Sequence, residues 1–111
     1  MDTLVATLSQ GEHNVAVGGP KPSLADFQKR LEDMGYVFIK FTETRGGTDL
    51  GVRLDKSATD LSAARFDQRT GHVHLEGTLA LNYVKVRCIA DIHLATLQGT
   101  GRLVVLEDIG V

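Results

Sequence analysis

The sequence predicts a single α+β domain: an antiparallel β-meander, or a partly closed barrel of about six strands, packed on one α-helix. Three observations carry this. The stretch from Gly71 to Glu107 is β-patterned almost throughout and rich in Val, Ile, Leu and Thr. Only one segment, Ser23 to Met34, has helical spacing together with end signals. The segments between are short and glycine-bearing, and tight turns join antiparallel neighbours.

Thr3 to Ser9 alternates Leu4, Ala6 and Leu8 against Val5 and Thr7, which predicts a first strand. A short strand is expected at His13–Val17, followed by a break at Gly18-Gly19-Pro20-Lys21-Pro22. These glycines do not have the spacing of a phosphate-binding loop, and the prolines remove backbone donors.

The helix begins with Ser23 as N-cap and Asp26 as a capping-box partner. Leu24, Phe27, Leu31 and Met34 then form one apolar stripe. Asp26 with Arg30, and Lys29 with Asp33, are i,i+4 pairs on the wet side. Gly35 supplies the left-handed residue that ends the helix. A helix with one apolar face needs a floor, and the sheet is the candidate.

Tyr36 to Thr42 is the next strand. A glycine hairpin loop over residues 44–49 and a return strand, Leu50 to Leu54, follow. Residues 57–66 fit a short helix or a strand. The preferred reading is a strand over Leu61–Phe66 that enters a turn from Asp67 to Gly71.

Successive strand residues face opposite ways. Val73, Leu75, Leu79 and Leu81 therefore share one face, with His72, His74, Glu76, Thr78 and Asn82 on the other. Near Asn82 and Tyr83 the parity inverts. Val84, Val86, Cys88, Ala90, Ile92 and Leu94 become the apolar set, so the chain bulges or turns there. Gln98-Gly99-Thr100-Gly101 reads as a turn, and Arg102–Glu107 as a returning strand.

Composition narrows the function. The chain has 111 residues, 42% of them apolar and 23% charged, with a formal net charge of −2. This is an ordinary globular balance, with no internal repeat and no visible domain boundary. Tryptophan is absent, and the chain has four Phe and two Tyr. Scarce aromatics and scattered basic residues disfavour nucleic acid as a partner. The N-terminal MDTLVATLSQ lacks a signal-peptide pattern, and no stretch nears the ~18 apolar residues of a membrane span. A cytoplasmic protein without membrane contact is expected. The lone cysteine, Cys88, excludes an internal disulfide and reads as a small buried hydrophobe.

Two features could carry function. His72, His74 and Glu76 share one strand face, and His93 on the following β segment could meet them. Two or three imidazoles with a carboxylate suit zinc, iron or copper. The competing reading is a solvated polar face. No serine elbow or convergent acid pair supports catalysis, and Cys88 has opposite parity to His93. The other feature is Leu103-Val104-Val105-Leu106, which has charge only at its ends, Arg102 and Glu107. At a sheet edge such a strand invites a partner strand; in a sheet centre it is simply covered. The functional expectation is a non-catalytic binding or accessory module. It would act through protein–protein contacts, with another protein or a second copy of itself. The alternative is a small metal-dependent or small-ligand-binding β-barrel using His72, His74, Glu76 and His93.

Overall fold

The computed structural model describes residues 2–109. It contains helices α1 (Thr3–Leu8) and α2 (Leu24–Lys29), the latter running on as a π-turn over Arg30–Met34. The strands are β1 (His13–Val17), β2 (Tyr36–Phe41), β3 (Thr48–Leu54), β4 (Ala64–Arg65), β5 (Thr70–Leu81), β6 (Val84–His93) and β7 (Gln98–Asp108). They form one antiparallel sheet in the order β3-β2-β1-β7-β6-β5-β4. A short pairing of β3 with β5, at Arg53↔Thr78 and Leu54↔Gly77, bends the sheet into a partly closed ring. The predicted α+β class, the antiparallel sheet and its partial closure are all present.

Alternation builds the interior. Along β6, Val84, Val86, Cys88, Ala90 and Ile92 are buried, and the residues between them face out. The inward residues of the ring join Phe27 and Leu31 of α2, and Val5 and Leu8 of α1, in one core cluster. Strand direction places the helices. α2 links the end of β1 to the start of β2, so it lies at one mouth of the ring. α1 precedes β1 at the other mouth, where Asp2 accepts a hydrogen bond from Asn82 in the β5–β6 turn at 3.0 Å. Among the described residues no helix is long and apolar enough to cross a membrane.

Four local expectations are corrected. Thr3–Leu8 is a helix rather than a strand. Asp2 caps it by accepting from the Val5 amide at 3.1 Å, and Leu4, Val5 and Leu8 form its packed side. Over six residues the same apolar positions fit either period, and the cap decides. Second, Met34 leaves the apolar stripe and is 52% exposed. Ser23 caps α2 and Gly35 ends it at φ 65°, as expected, but Gly35 N bonds back five residues to Arg30 O. The extra residue in that turn rotates Met34 off the face that holds Phe27 and Leu31.

Third, the strand over Leu61–Phe66 shrinks to Ala64–Arg65, followed by a 3-10 turn at Phe66–Gln68. Asp60 accepts from the Ser62 amide at 2.8 Å, bending the chain before a strand can run. Fourth, Gln98–Gly101 is not a turn but the start of β7. The reversal lies at Leu94–Leu97, with Leu97 at φ 57°. Gly99 is glycine because a Cβ there would run into the backbone carbonyl of Asp91 on β6. Of the two readings of the parity switch at Asn82–Tyr83, bulge or turn, the turn holds: it is a two-residue hairpin turn, both residues having positive φ, 48° and 64°. A register shift does occur nearby, but across β6–β7: Val86 pairs with Val105 and Lys85 with Glu107, leaving Leu106 as the extra residue.

Candidate functional site

His72, His74 and Glu76 stand on the outer face of β5 because Val73 and Leu75, of opposite parity, are fully buried. The Asn82–Tyr83 turn fixes what they meet on β6. Leu81 faces Val84, and stepping back equally along both strands puts His74 opposite Asp91 and His72 opposite His93. The four residues singled out in the sequence therefore share a face but divide into two pairs.

His74 is held from both sides. Its Nδ1 is 2.8 Å from Asp91 Oδ1 and its Nε2 is 2.7 Å from Glu76 Oε2. The other oxygen of Glu76 accepts from Arg87 Nε at 2.9 Å, and a terminal nitrogen of Arg87 donates to Asp55 Oδ2 at 2.9 Å. Asp55 also accepts from the Ser57 hydroxyl at 2.6 Å. The result is a row of alternating charge, Asp91–His74–Glu76–Arg87–Asp55, which ties the segment after β3 to the outer face of β5 and β6. Thr59 adds to the tie, donating its hydroxyl to Asp55 O and accepting from the Glu76 amide.

The electrostatics follow from these contacts. Hydrogen bonds to Glu76 and then to Asp91 hold the His74 pKa above its ordinary value. The bond from His74, with that from Arg87, holds Glu76 below the usual carboxylate range. Asp55 is lowered by Ser57 and then Arg87, and Asp60 by Ser62. With a carboxylate oxygen within hydrogen-bonding distance of each ring nitrogen, His74 has neither nitrogen free for a metal or a substrate proton. His72 and His93 stand apart from it, their ring centroids 6.4 Å from each other. Among the described residues no group of three or more His, Cys, Asp or Glu side chains is arranged to hold a metal ion. Cys88 is buried, and burial pushes its thiol up to about 12, so it is not a thiolate at neutral pH.

Asp91, Arg87 and Asp55 complete this face and were not among the sequence candidates. Reading Asn82–Tyr83 as a two-residue turn would have exposed Asp91 and Arg87 by register alone. Asp55 carries no comparable signal, because the segment after β3 is irregular. Beside that segment, a cleft of about 280 Å³ opens at the mouth near α2, lined by Leu31, Glu32, Leu54, Lys56, Thr59 and Leu61.

The second candidate, Leu103–Leu106, lies in the distal half of β7. The pairing of β7 with β1 runs from Ala16↔Gln98 to His13↔Gly101. From Arg102 onward the described residues give β7 one strand neighbour, β6, and helix α1 also packs against β7. Leu103 is fully buried and Val105 packs against the core, whereas Val104 points outward and is partly covered. Leu106, on the bulge, is 49% exposed. Ile109 and Tyr83, also exposed, lie close by, joined by a hydrogen bond from the Ile109 amide to Tyr83 O at 2.9 Å. The four-residue apolar run thus divides between core and surface. No protein-family model matches the chain, and no curated protein matches it.

Proposed function

We propose that the protein is a non-catalytic binding module that engages another protein chain along the outer edge of β7. One observation carries this reading. Residues 102–107 form a strand with a single strand neighbour, and the segment has no proline and no charge between Arg102 and Glu107. Sheet edges are ordinarily protected by such features. The bulge at Leu106 is a protective device of that kind, but it sits at the far end and leaves 102–105 regular. Exposed Leu106, Ile109 and Tyr83 extend an apolar surface from the same end of the sheet.

The polar face of β5 and β6 supports a structural role beside this. His74 is saturated by carboxylates, and its neighbours are paired in a row that fastens a loop. The test is a substitution on the outward side of the edge. Val104→Lys places a charge in the path of an incoming strand while leaving Leu103 and Val105 in the core. Association measured by light scattering and by cross-linking to partner protein should be lost, with the thermal melt retained. A wild-type protein that associates with no chain, or associates equally well as V104K, contradicts the proposal.

A further inference from the structure

We propose that the occupant of the β7 edge is a second copy of this chain, paired antiparallel about a twofold axis at Val104. The proposal rests on the reading of that edge as the contact surface, and it adds the partner and the register.

The argument starts from pleat geometry. Residues directly opposite each other in an antiparallel ladder point to the same face. A twofold axis perpendicular to the sheet preserves faces, so it must pass beside one residue rather than between two. On β7, Leu103 and Val105 face the core, while Arg102 and Val104 face out. The bulge makes Leu106 the extra residue and sets Glu107 opposite Lys85, on the outer face. The outward positions are therefore Arg102, Val104 and Glu107, with one inward position on each side of Val104.

This pattern is symmetric about Val104. Self-pairing there sets Val104 beside Val104 of the copy, Leu103 beside Val105, and Arg102 beside Glu107 across the bulge. The two charges that flank the apolar run are opposite in sign, and symmetry makes the ion pair twice. An axis at Leu103 would instead set Arg102 beside Val104 and leave Glu107 without the arginine. Within the described chain neither Arg102 nor Glu107 makes an ion pair. Both are exposed. Rim charges of this kind select register and partner, while ladder hydrogen bonds and apolar contact hold the strands together. A twofold, self-complementary patch is also the commonest way for a chain to assemble.

The experiment is sedimentation velocity over a concentration series on the full chain and four variants. Wild type should pass from the 12.0 kDa chain to twice that mass. Arg102→Glu and Glu107→Arg set like charges opposite each other, and each should weaken the dimer by about tenfold or more. The double reversal, R102E with E107R, restores opposite charges and should recover most of the wild-type affinity. That recovery also separates the effect from any repulsion between the new arginine and Lys85. V104K puts two ammonium groups at the axis and should be monomeric throughout. A wild type that is monomeric at every concentration overturns the self-pairing, as do single reversals without effect or a double variant no tighter than the singles. If wild type is monomeric yet cross-links a different protein in a V104K-sensitive way, the copy is refuted and the edge reading stands. If it makes no V104K-sensitive association of either kind, both fall.

Discussion

Replacing Leu31 by Ala is a quantitative test of how α2 closes the ring. Leu31 is 4% exposed and sits in the core cluster, yet it also lines the cleft of about 280 Å³ beside the segment after β3. Truncation removes about three methylene equivalents, or roughly 2.4 kcal/mol of transfer free energy. A sealed site would add a cavity cost. Here the new space joins the open cleft, where water can enter, so the expected loss stays near the lower end, about 2–3 kcal/mol. Phe27 is fully buried and does not line that cleft, so Phe27→Ala should cost more, about 3–5 kcal/mol. For a chain of this length, 1 kcal/mol corresponds to about 4 °C in Tm. Leu31→Ala should therefore melt about 10 °C below wild type, and Phe27→Ala lower still, at matched protein concentration. Met34→Ala should melt within about 2 °C of wild type, because the π-turn has carried Met34 out to 52% exposure. A Leu31→Ala melt matching wild type, or a Met34→Ala loss as large as that of Leu31→Ala, would refute this packing.

Gly99→Ala should destabilise by at least about 1–3 kcal/mol, since its Cβ meets the Asp91 carbonyl and neither backbone can yield cheaply; an unchanged denaturation midpoint would contradict the close approach of β6 and β7. His74 has a folded pKa above its ordinary 6.5, so its stabilisation is complete below 6.5 and is lost as pH rises through the folded value. Glu76, held below its ordinary 4.5, contributes above 4.5 and loses that contribution as pH falls through its folded value. The stability gap between wild type and His74→Gln should thus be largest between these limits and shrink on the alkaline side; a gap constant from about pH 5 to 9 would refute the clamped imidazolium. Adding zinc should leave the melting temperature unchanged, and a rise of several degrees that His93→Ala removes would instead make the His72–His93 pair a metal site.

Much of the fold was legible in the sequence because strand alternation and helix caps are local signals. The opposed parities of Val73–Leu81 and Val84–Ile92 named both buried faces, and Ser23 and Gly35 marked both ends of α2. The failures came where one pattern served two structures. Leu4, Val5 and Leu8 satisfy period 2 and period 3.6 alike over so short a segment. Gly99 and Gly101 look like turn residues, but here glycine is required by the tight approach of β7 to its neighbours. The π-turn at Arg30–Met34 has no sequence mark at all. For the candidate sites, parity correctly grouped His72, His74 and Glu76 on one face. It could not supply register, which decides that Asp91 occupies His74. Nor could the run Leu103–Leu106 reveal that β1 stops pairing at Gly101, which is what leaves the rest of β7 as an edge.

The proposed contact surface is tested most directly by amide hydrogen exchange on β7 as protein concentration, or the amount of an added partner chain, is raised. Edge pairing predicts that amides within 102–107 slow with association while those of β6, already laddered on both sides, keep their rates. Exchange at 102–107 that is unaffected by association would contradict the claim that this protein works through the edge of β7.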